Sequence, residues 1–475
     1  MILLINPRLV VQKHDTFTTG IVYMPIGLAY FSDGLTKLGF EHEVLDLFGM
    51  NPRTISHFED QWVFGEELRI ACESLNIQPD SIVVYANQAA NHSDLTAILV
   101  EVRSIYPNVE IHLLENSQAV TAYSLESIEP FFKNIGVASV ITGTPASQIN
   151  TFTRRNSKHV SQTVLPMPSW DKFPIENYWK FKLAHGPLTE ERYLPVLTSY
   201  GCPWGCTFCV VPATNLRKWE SRDSDEIYDE IRNSIEKYSV REFHFEDLNS
   251  SVSSQRMLEL SSKLKTLSIT WKIVAGTKAE TLDSFETLKT LSNSGLRYFS
   301  FSPESGSSAV RKEIGKRFNI PHSFRLVRWS KKLGIKTQAC FVIGMPSEGL
   351  LDRYKSLLLI RMYTILGIGE IAIFVISPMP GSELYKRFEV DLSRISFSPT
   401  WRSDYKFLSF VRLYWYANFL LLKLIFHPVE FCKSVIRFFK KSFQLKMELA
   451  PFRSFQWKRW AREGKLSESS ITTKT

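Results

Sequence analysis

Between residues 191 and 400 the sequence repeats one unit six times, a short apolar run followed by a stretch with helical periodicity. The apolar runs fall at roughly 194–200, 241–247, 270–276, 297–303, 336–343 and 370–377. The first helical stretch is the clearest. Ile227, Ile231 and Ile235 recur at i, i+4 and i+8, and Asp223 or Ser224 is placed to cap its start. Such alternation builds parallel sheets, because a parallel partner strand needs a crossover, usually helical. Six units suggest a barrel or an open partial barrel, folds in which chemistry gathers at the C-terminal strand ends.

The same rhythm, less regular, fills residues 1–150. Strands are expected at Ile2–Asn6, Glu43–Phe48, Ser81–Tyr85, Val109–Leu114 and Val137–Thr142, and helices at Pro25–Gly39 and Asp94–Tyr106. This predicts a doubly wound, Rossmann-like α/β domain. The opening Met1-Ile-Leu-Leu-Ile-Asn6 lacks a basic flank and reads as a buried strand, not a signal peptide. Residues 151–190 read as a linker, polar through Lys158 and then proline-rich around Leu165–Trp170. Residues 401–475 hold 15 Lys/Arg and 5 Asp/Glu, a net of +10, so the other 400 residues carry 9 − 10 = −1. The basic charge is thus confined to a tail. A general nucleic-acid surface is not indicated, and tRNA binding through Lys440, Lys441, Lys458 and Arg459 is the weaker reading. The tail predicts two amphipathic basic helices, Phe407–Phe426 and Val429–Phe443, whose charges leave an apolar core too short to span a bilayer. They could anchor at a membrane interface or cap the barrel. The polar end after Lys465 is expected to be disordered.

Three of the six cysteines fall within eight residues, in Tyr200-Gly-Cys202-Pro-Trp-Gly-Cys206-Thr-Phe208-Cys209, at the end of the first barrel strand. A disulfide framework spreads its cysteines, so this pattern and the missing secretion signal point to a reducing cytoplasm. Three thiolates on one loop can bind three irons of a cubane and leave the fourth open. Structural zinc wants four ligands, and no second CxxC pair exists.

CxxxCxxC with Phe208 before the last cysteine resembles the radical S-adenosylmethionine (SAM) superfamily signature. The resemblance implies a [4Fe–4S] cluster on Cys202, Cys206 and Cys209, SAM chelated at the open iron, and an electron donor of the flavodoxin, ferredoxin or reductase kind. Reductive cleavage of SAM to a 5′-deoxyadenosyl radical would follow. Later strand ends extend it. Phe243-His-Phe-Glu246-Asp247 falls where relatives meet the methionyl amino group, and Ser302-Pro-Glu304-Ser305-Gly-Ser307 resembles a segment that meets ribose or methionine. Gly344, in Phe341-Val-Ile-Gly-Met-Pro346, is expected near adenine, and Lys278 near the SAM carboxylate. Pro378-Met-Pro-Gly-Ser-Glu-Leu-Tyr385 resembles the segment after the sixth strand.

The first domain resembles the cobalamin (B12)-binding domain that precedes many such barrels, through Pro25-Ile-Gly-Leu-Ala-Tyr30, Gly39 and Val44-Leu-Asp46. Its usual cobalt ligand is missing: Phe48 stands at the histidine position, and Glu115-Asn116 replace a Gly-Gly pair. The fold implied is an N-terminal B12-binding-like α/β domain, a partial (β/α)6 TIM-type radical SAM barrel and a basic helical tail. The function implied is SAM cleavage followed by cobalamin-dependent methyl transfer to a small or lipid-like metabolite. Without cobalamin it is a rearrangement, cyclisation or oxidation. A non-catalytic, membrane-associated iron–sulfur protein is the alternative from another class.

Overall fold

The computed structural model describes residues 1–156, 165–388, 390–392 and 395–472, with side chains as far as 464. The linker residues expected to be polar through Lys158 lie partly outside this range. In chain order the strands are β1 (Ile2–Asn6), β2 (Leu9–Gln12), β3 (His42–Asp46), β4 (Ile55–His57), β5 (Gln61–Phe64), β6 (Ser81–Ala86), β7 (Glu110–Glu115) and β8 (Ser139–Ile141). They continue as β9 (Tyr193–Val196), β10 (Ser199–Gly201), β11 (Trp219–Ser221), β12 (Glu242–Phe245), β13 (Thr270–Thr277), β14 (Leu296–Glu304), β15 (Lys336–Ile343) and β16 (Glu370–Val375).

The first domain is a parallel sheet in the order β3-β1-β6-β7-β8, the flavodoxin-like winding. β3 ends at Asp46, two residues before the expected limit, because the Asp46 carboxylate accepts from Gly49 N–H (3.1 Å) and starts a helical turn. The domain's last helix, Pro145–Asn156, runs past the expected boundary at 150. A small antiparallel sheet, β2-β5-β4, was not expected. Its strands are short and of mixed polarity, with no alternation strong enough to announce them.

The second domain is a six-stranded parallel sheet in the order β9-β12-β13-β14-β15-β16, each expected run supplying one strand. The first run breaks after Val196. Asp247 accepts from Thr198 N–H (3.0 Å), Thr198 Oγ1 (2.8 Å) and Ser199 Oγ (2.7 Å), and β10 leaves to pair antiparallel with β11. Outward faces of the strands, among them Phe243, Phe245, Ile273, Phe299 and Phe341, pack on the helices in a single apolar layer. The inward faces are polar. Glu242 accepts from Lys272 (2.7 Å) and bonds His244 (2.8 Å), Tyr298 donates to Glu370 (2.6 Å), and Ser300 donates to Gln338 (2.9 Å).

The tail forms three helices, Tyr405–Phe426, Pro428–Lys440 and Lys446–Thr472. The last continues through residues expected to be disordered, and 473–475 lie outside those described. The tail caps the open edge of the barrel. Ile373 N–H donates to Tyr416 Oη (3.0 Å), and Lys446 and Met447 N–H donate to the buried Glu370 carboxylate (3.1 and 2.6 Å). The third helix then reaches the first domain, where Trp457 is buried against Phe64 and donates to Gly20 O (3.2 Å).

Candidate functional site

β10 delivers the chain to the cysteine loop. Gly201 holds φ +76°, and a Cβ there would stand 2.1 Å from the Lys218 carbonyl oxygen, so glycine is required at this turn. The loop is pinned from three elements. Gly201 N–H donates to Gln118 of the first domain (2.8 Å), Thr207 N–H to Ile314 O (3.1 Å), and Leu384 N–H to Thr207 O (3.0 Å). Cys202, Cys206 and Cys209 are part-exposed and close enough to influence one another electrostatically. Burial raises all three thiols, Cys209 to about 12, so they ionise on binding a cation rather than in water.

Among the described residues no three His, Cys, Asp or Glu side chains gather tightly enough for a single metal ion. A cubane asks for a wider arrangement, one thiolate on each of three irons. Three thiols on one pinned loop therefore fit a [4Fe–4S] cluster with an open iron, and not structural zinc.

Two lysines flank the loop. Lys278 Nζ lies 4.5 Å from the Trp204 ring centre. Lys316, which the sequence reading missed, pairs with Glu304 (3.1 Å) and acts electrostatically on Cys206 and Cys202. Burial opposes its charge, yet Glu304 and the cysteines hold its pKa above the usual range. Glu304 sits at φ +61°, a conformation that costs about 1–3 kcal/mol and clusters at binding sites. The available sequence signal for Lys316 was the turn glycine before it, Gly315 at φ +66°.

Glu246 closes β12 and accepts from His185 Nδ1 (2.8 Å), while Lys446 Nζ donates to His185 Nε2 (3.0 Å). Burial lowers His185 to about 4, so the ring is neutral, as these two bonds require. Neither His185 nor Lys446 carries a sequence signal, since both arrive from outside the barrel repeat. Ser302 bonds Cys340. Phe208 packs against Val310, Ile314, Val342, Met345, Ile376 and Leu384 beside the loop.

Three of the sequence candidates are engaged elsewhere. Asp247 is fully buried and ties down the end of β9. Ser305 Oγ meets Ser356 Oγ (3.1 Å) and accepts from Ser307 N–H (3.1 Å). Gly344 N–H donates to Glu348 (2.7 Å) and its carbonyl accepts from Arg402 (3.0 Å). The close approach Gly344 permits is used by Leu408 and Arg402 of the tail rather than left open for adenine.

In the first domain the winding order changes direction between β1 and β6, the place where such sheets take ligands. Carboxamides line it: Asn87 donates to Asn6 Oδ1 (3.1 Å), Asn91 to Asn87 Oδ1 (3.0 Å), and Asn116 to Asn87 O (2.7 Å). Thr121 lies within bonding reach of the Tyr23 hydroxyl, and the Tyr85 hydroxyl sits against the Gly27 backbone. This donor set suits the amide-bearing rim of a corrin. A histidine-ligated cobalamin does not fit. Phe48 is buried between Tyr178 and Phe181, and Asp46 before it is saturated by Asn6 (2.7 Å) and Tyr178 (2.8 Å). The space between the domains, lined by Asn116, Thr121, Leu197 and Glu246, is about 30 Å³, far smaller than a corrin.

Residues 196–360 match the radical SAM superfamily. The chain is 24% identical over 443 residues, 81% of each protein, to cytidylyl-2-hydroxyethylphosphonate methyltransferase of Streptomyces wedmorensis. It is 25% identical to bacteriochlorophyllide d C-12(1)-methyltransferase of Chlorobaculum tepidum, over 42% of this chain and 43% of that one. Among solved structures it resembles the radical SAM methyltransferase TsrM from Kitasatospora setae with cobalamin and [4Fe–4S] cluster bound. The TM-score is 0.62 and the identity 14%, covering 81% of this chain and 73% of that one. The cobalamin-dependent SAM radical enzyme OxsB with aqua-cobalamin bound follows at TM-score 0.57 and 17% identity, covering 81% and 55%. Residues 196–360 are thus a radical SAM domain, its cysteine loop set on a partial barrel behind an α/β domain, an arrangement whose fold resembles that of TsrM and OxsB.

Proposed function

We propose that this chain transfers a methyl group from SAM to a small or lipid-like substrate, in a reducing compartment and at a membrane surface that its basic tail touches. The observation that carries the reading is the pinned cysteine loop flanked by Lys278, Lys316 and Glu304, under an α/β domain whose carboxamide-lined edge faces it. When bound, the cluster supplies the electron that cleaves SAM.

The protein's own residues do the rest. Lys278 and Lys316 offset the negative charge of three thiolates and offer cations to the SAM carboxylate. Glu304 and Glu246 supply acceptors for the methionyl ammonium, with Glu246 kept ionised by His185 despite its burial. Ser302 and Phe208 border the same space. Cobalamin, where it binds, does so without a protein imidazole. The relatives' methyltransferase names support the reaction type.

Anaerobic reconstitution with iron and sulfide, then SAM, a low-potential donor of the flavodoxin or ferredoxin type, and hydroxocobalamin, tests the reading. Protein that binds about four irons, forms 5′-deoxyadenosine or S-adenosylhomocysteine, and keeps a cobalamin spectrum after desalting agrees with it. Protein that holds iron and never consumes SAM refutes it and leaves a non-catalytic iron–sulfur protein. Loss of the cobalamin absorption bands after desalting, with the cluster retained, removes cobalamin.

A further inference from the structure

One cavity dwarfs the space between the domains. It measures about 980 Å³ and lies between the tail helices, the barrel edge at β16 and residues 17–21. That is the upper end of ligand-pocket size, and packed interiors do not leave such voids by accident. Its wall is apolar, formed by Ile373, Phe419, Leu420, Phe431, Val435 and Phe438. Charged groups on the wall are largely paired: Arg412 with Asp15 (3.1 Å), Lys423 with Glu430 (3.6 Å), Arg437 with Glu448 (2.5 Å). The inner end is different. It reaches Gln338, His185 and Lys446, which belong to the polar barrel interior, and His185 touches Glu246.

The outside of the same helices is also apolar. Helix Tyr405–Phe426 buries Leu408, Trp415 and Phe419 on the barrel. On its other face Phe407, Phe410, Tyr414, Leu421 and Leu424 are exposed at helical spacing. Helix Leu350–Leu366 packs beside it and exposes Leu351, Tyr354, Leu358, Met362 and Ile365. By length and composition alone Tyr405–Phe426 could cross a membrane, contrary to the sequence expectation. Its buried inner stripe instead holds it flat on the barrel. Lone exposed leucines need no explanation, but two adjacent apolar stripes do. Exposed Lys406, Lys433, Lys440 and Lys441 accompany them, complementing an anionic bilayer. At the cavity, Phe439 is 77% exposed and Leu413 66%.

We propose that this cavity binds the apolar chain of a membrane lipid, which enters from a bilayer docked on the outer faces of the two helices and reaches the barrel beside His185 and Lys446. The substrate class is therefore a long-chain lipid. The proposal rests on the barrel being the radical SAM site.

The probe is parinaric acid, a fluorescent polyene fatty acid, titrated into the reconstituted full chain. Saturable binding competed by oleate is expected. Leu420→Trp and Val435→Trp fill the cavity from half-exposed positions, and each should weaken binding about tenfold. Formation of 5′-deoxyadenosine without substrate, unchanged in both variants, reports the radical SAM site separately. The chain should also sediment with phosphatidylglycerol vesicles more than with phosphatidylcholine vesicles. Phe410→Asp with Leu421→Asp should reduce that at least fivefold and leave parinaric acid binding intact. SAM cleavage without probe binding, or unaltered affinity in both Trp variants, overturns the cavity assignment. Undiminished sedimentation of the Asp variant overturns entry from the bilayer. Failure of SAM cleavage in the wild type strikes the enzyme reading instead.

Discussion

The two parallel sheets treat their C-terminal strand ends in opposite ways. In the barrel those ends carry groups turned towards an open space: three part-exposed thiols, Lys278 against an indole face, and Glu304 held at a strained φ. In the first domain comparable polar residues mostly satisfy one another. Asp46 binds Asn6, Gly49 and Tyr178, and Glu115 binds Ser117 (2.7 Å) and Leu125 N–H (2.8 Å). A polar residue at a strand end marks a ligand site only where its partners leave it free. Bonded within the fold, it is part of the frame.

Removing one group from each sheet separates the two roles. Cys206→Ala should abolish cluster assembly and reduce 5′-deoxyadenosine formation by at least ~10³-fold, while thermal unfolding of the apoprotein shifts little. Iron analysis and product chromatography check it, and retained SAM cleavage would refute the cluster assignment. Asp46→Ala should do the reverse. It leaves buried donors of Asn6 and Tyr178 unpaired and should cost ~3 kcal/mol in denaturant unfolding, with SAM cleavage per folded molecule unchanged.

Glu304→Gln probes the middle ground. It keeps the shape and removes the ion pair with Lys316, so KM for SAM should rise about tenfold with a smaller change in kcat. Equal loss in both would mean the group acts on the framework. The smallest effect is on pH. Burial pushes the Glu115 carboxyl up to about 7 from an ordinary 4.5. The folded state therefore holds its proton more tightly than the unfolded one, and this group's contribution to stability falls as pH rises from 4.5 to 7. Glu115→Gln should flatten that fall by up to ~3 kcal/mol, read as the difference between the two unfolding curves at pH 5 and pH 8. Identical pH profiles would show that Glu115 is not the group responsible.

The βα rhythm, the cysteine loop and the order of later strand-end segments are legible in the sequence, because each is local. A hydrophobic period needs only neighbours along the chain, and three thiols within eight residues meet in almost any loop. Which of the other groups stay free depends on contacts between distant segments. Asp247 and Glu246 are adjacent in sequence, yet one is consumed by Thr198 and Ser199 and the other is steadied by His185 from the linker. Gly344 is claimed by Arg402 and Leu408, some sixty residues away. Lys316 joins the cysteines across a turn, and Lys446 enters the barrel from the tail. Such pairings join segments tens to hundreds of residues apart and leave no period or spacing behind. A parallel α/β frame and a loop made for iron follow from local patterns along the chain. Only packing across the chain determined which carboxylates and cations face that loop, and that the tail encloses an apolar chamber beside it.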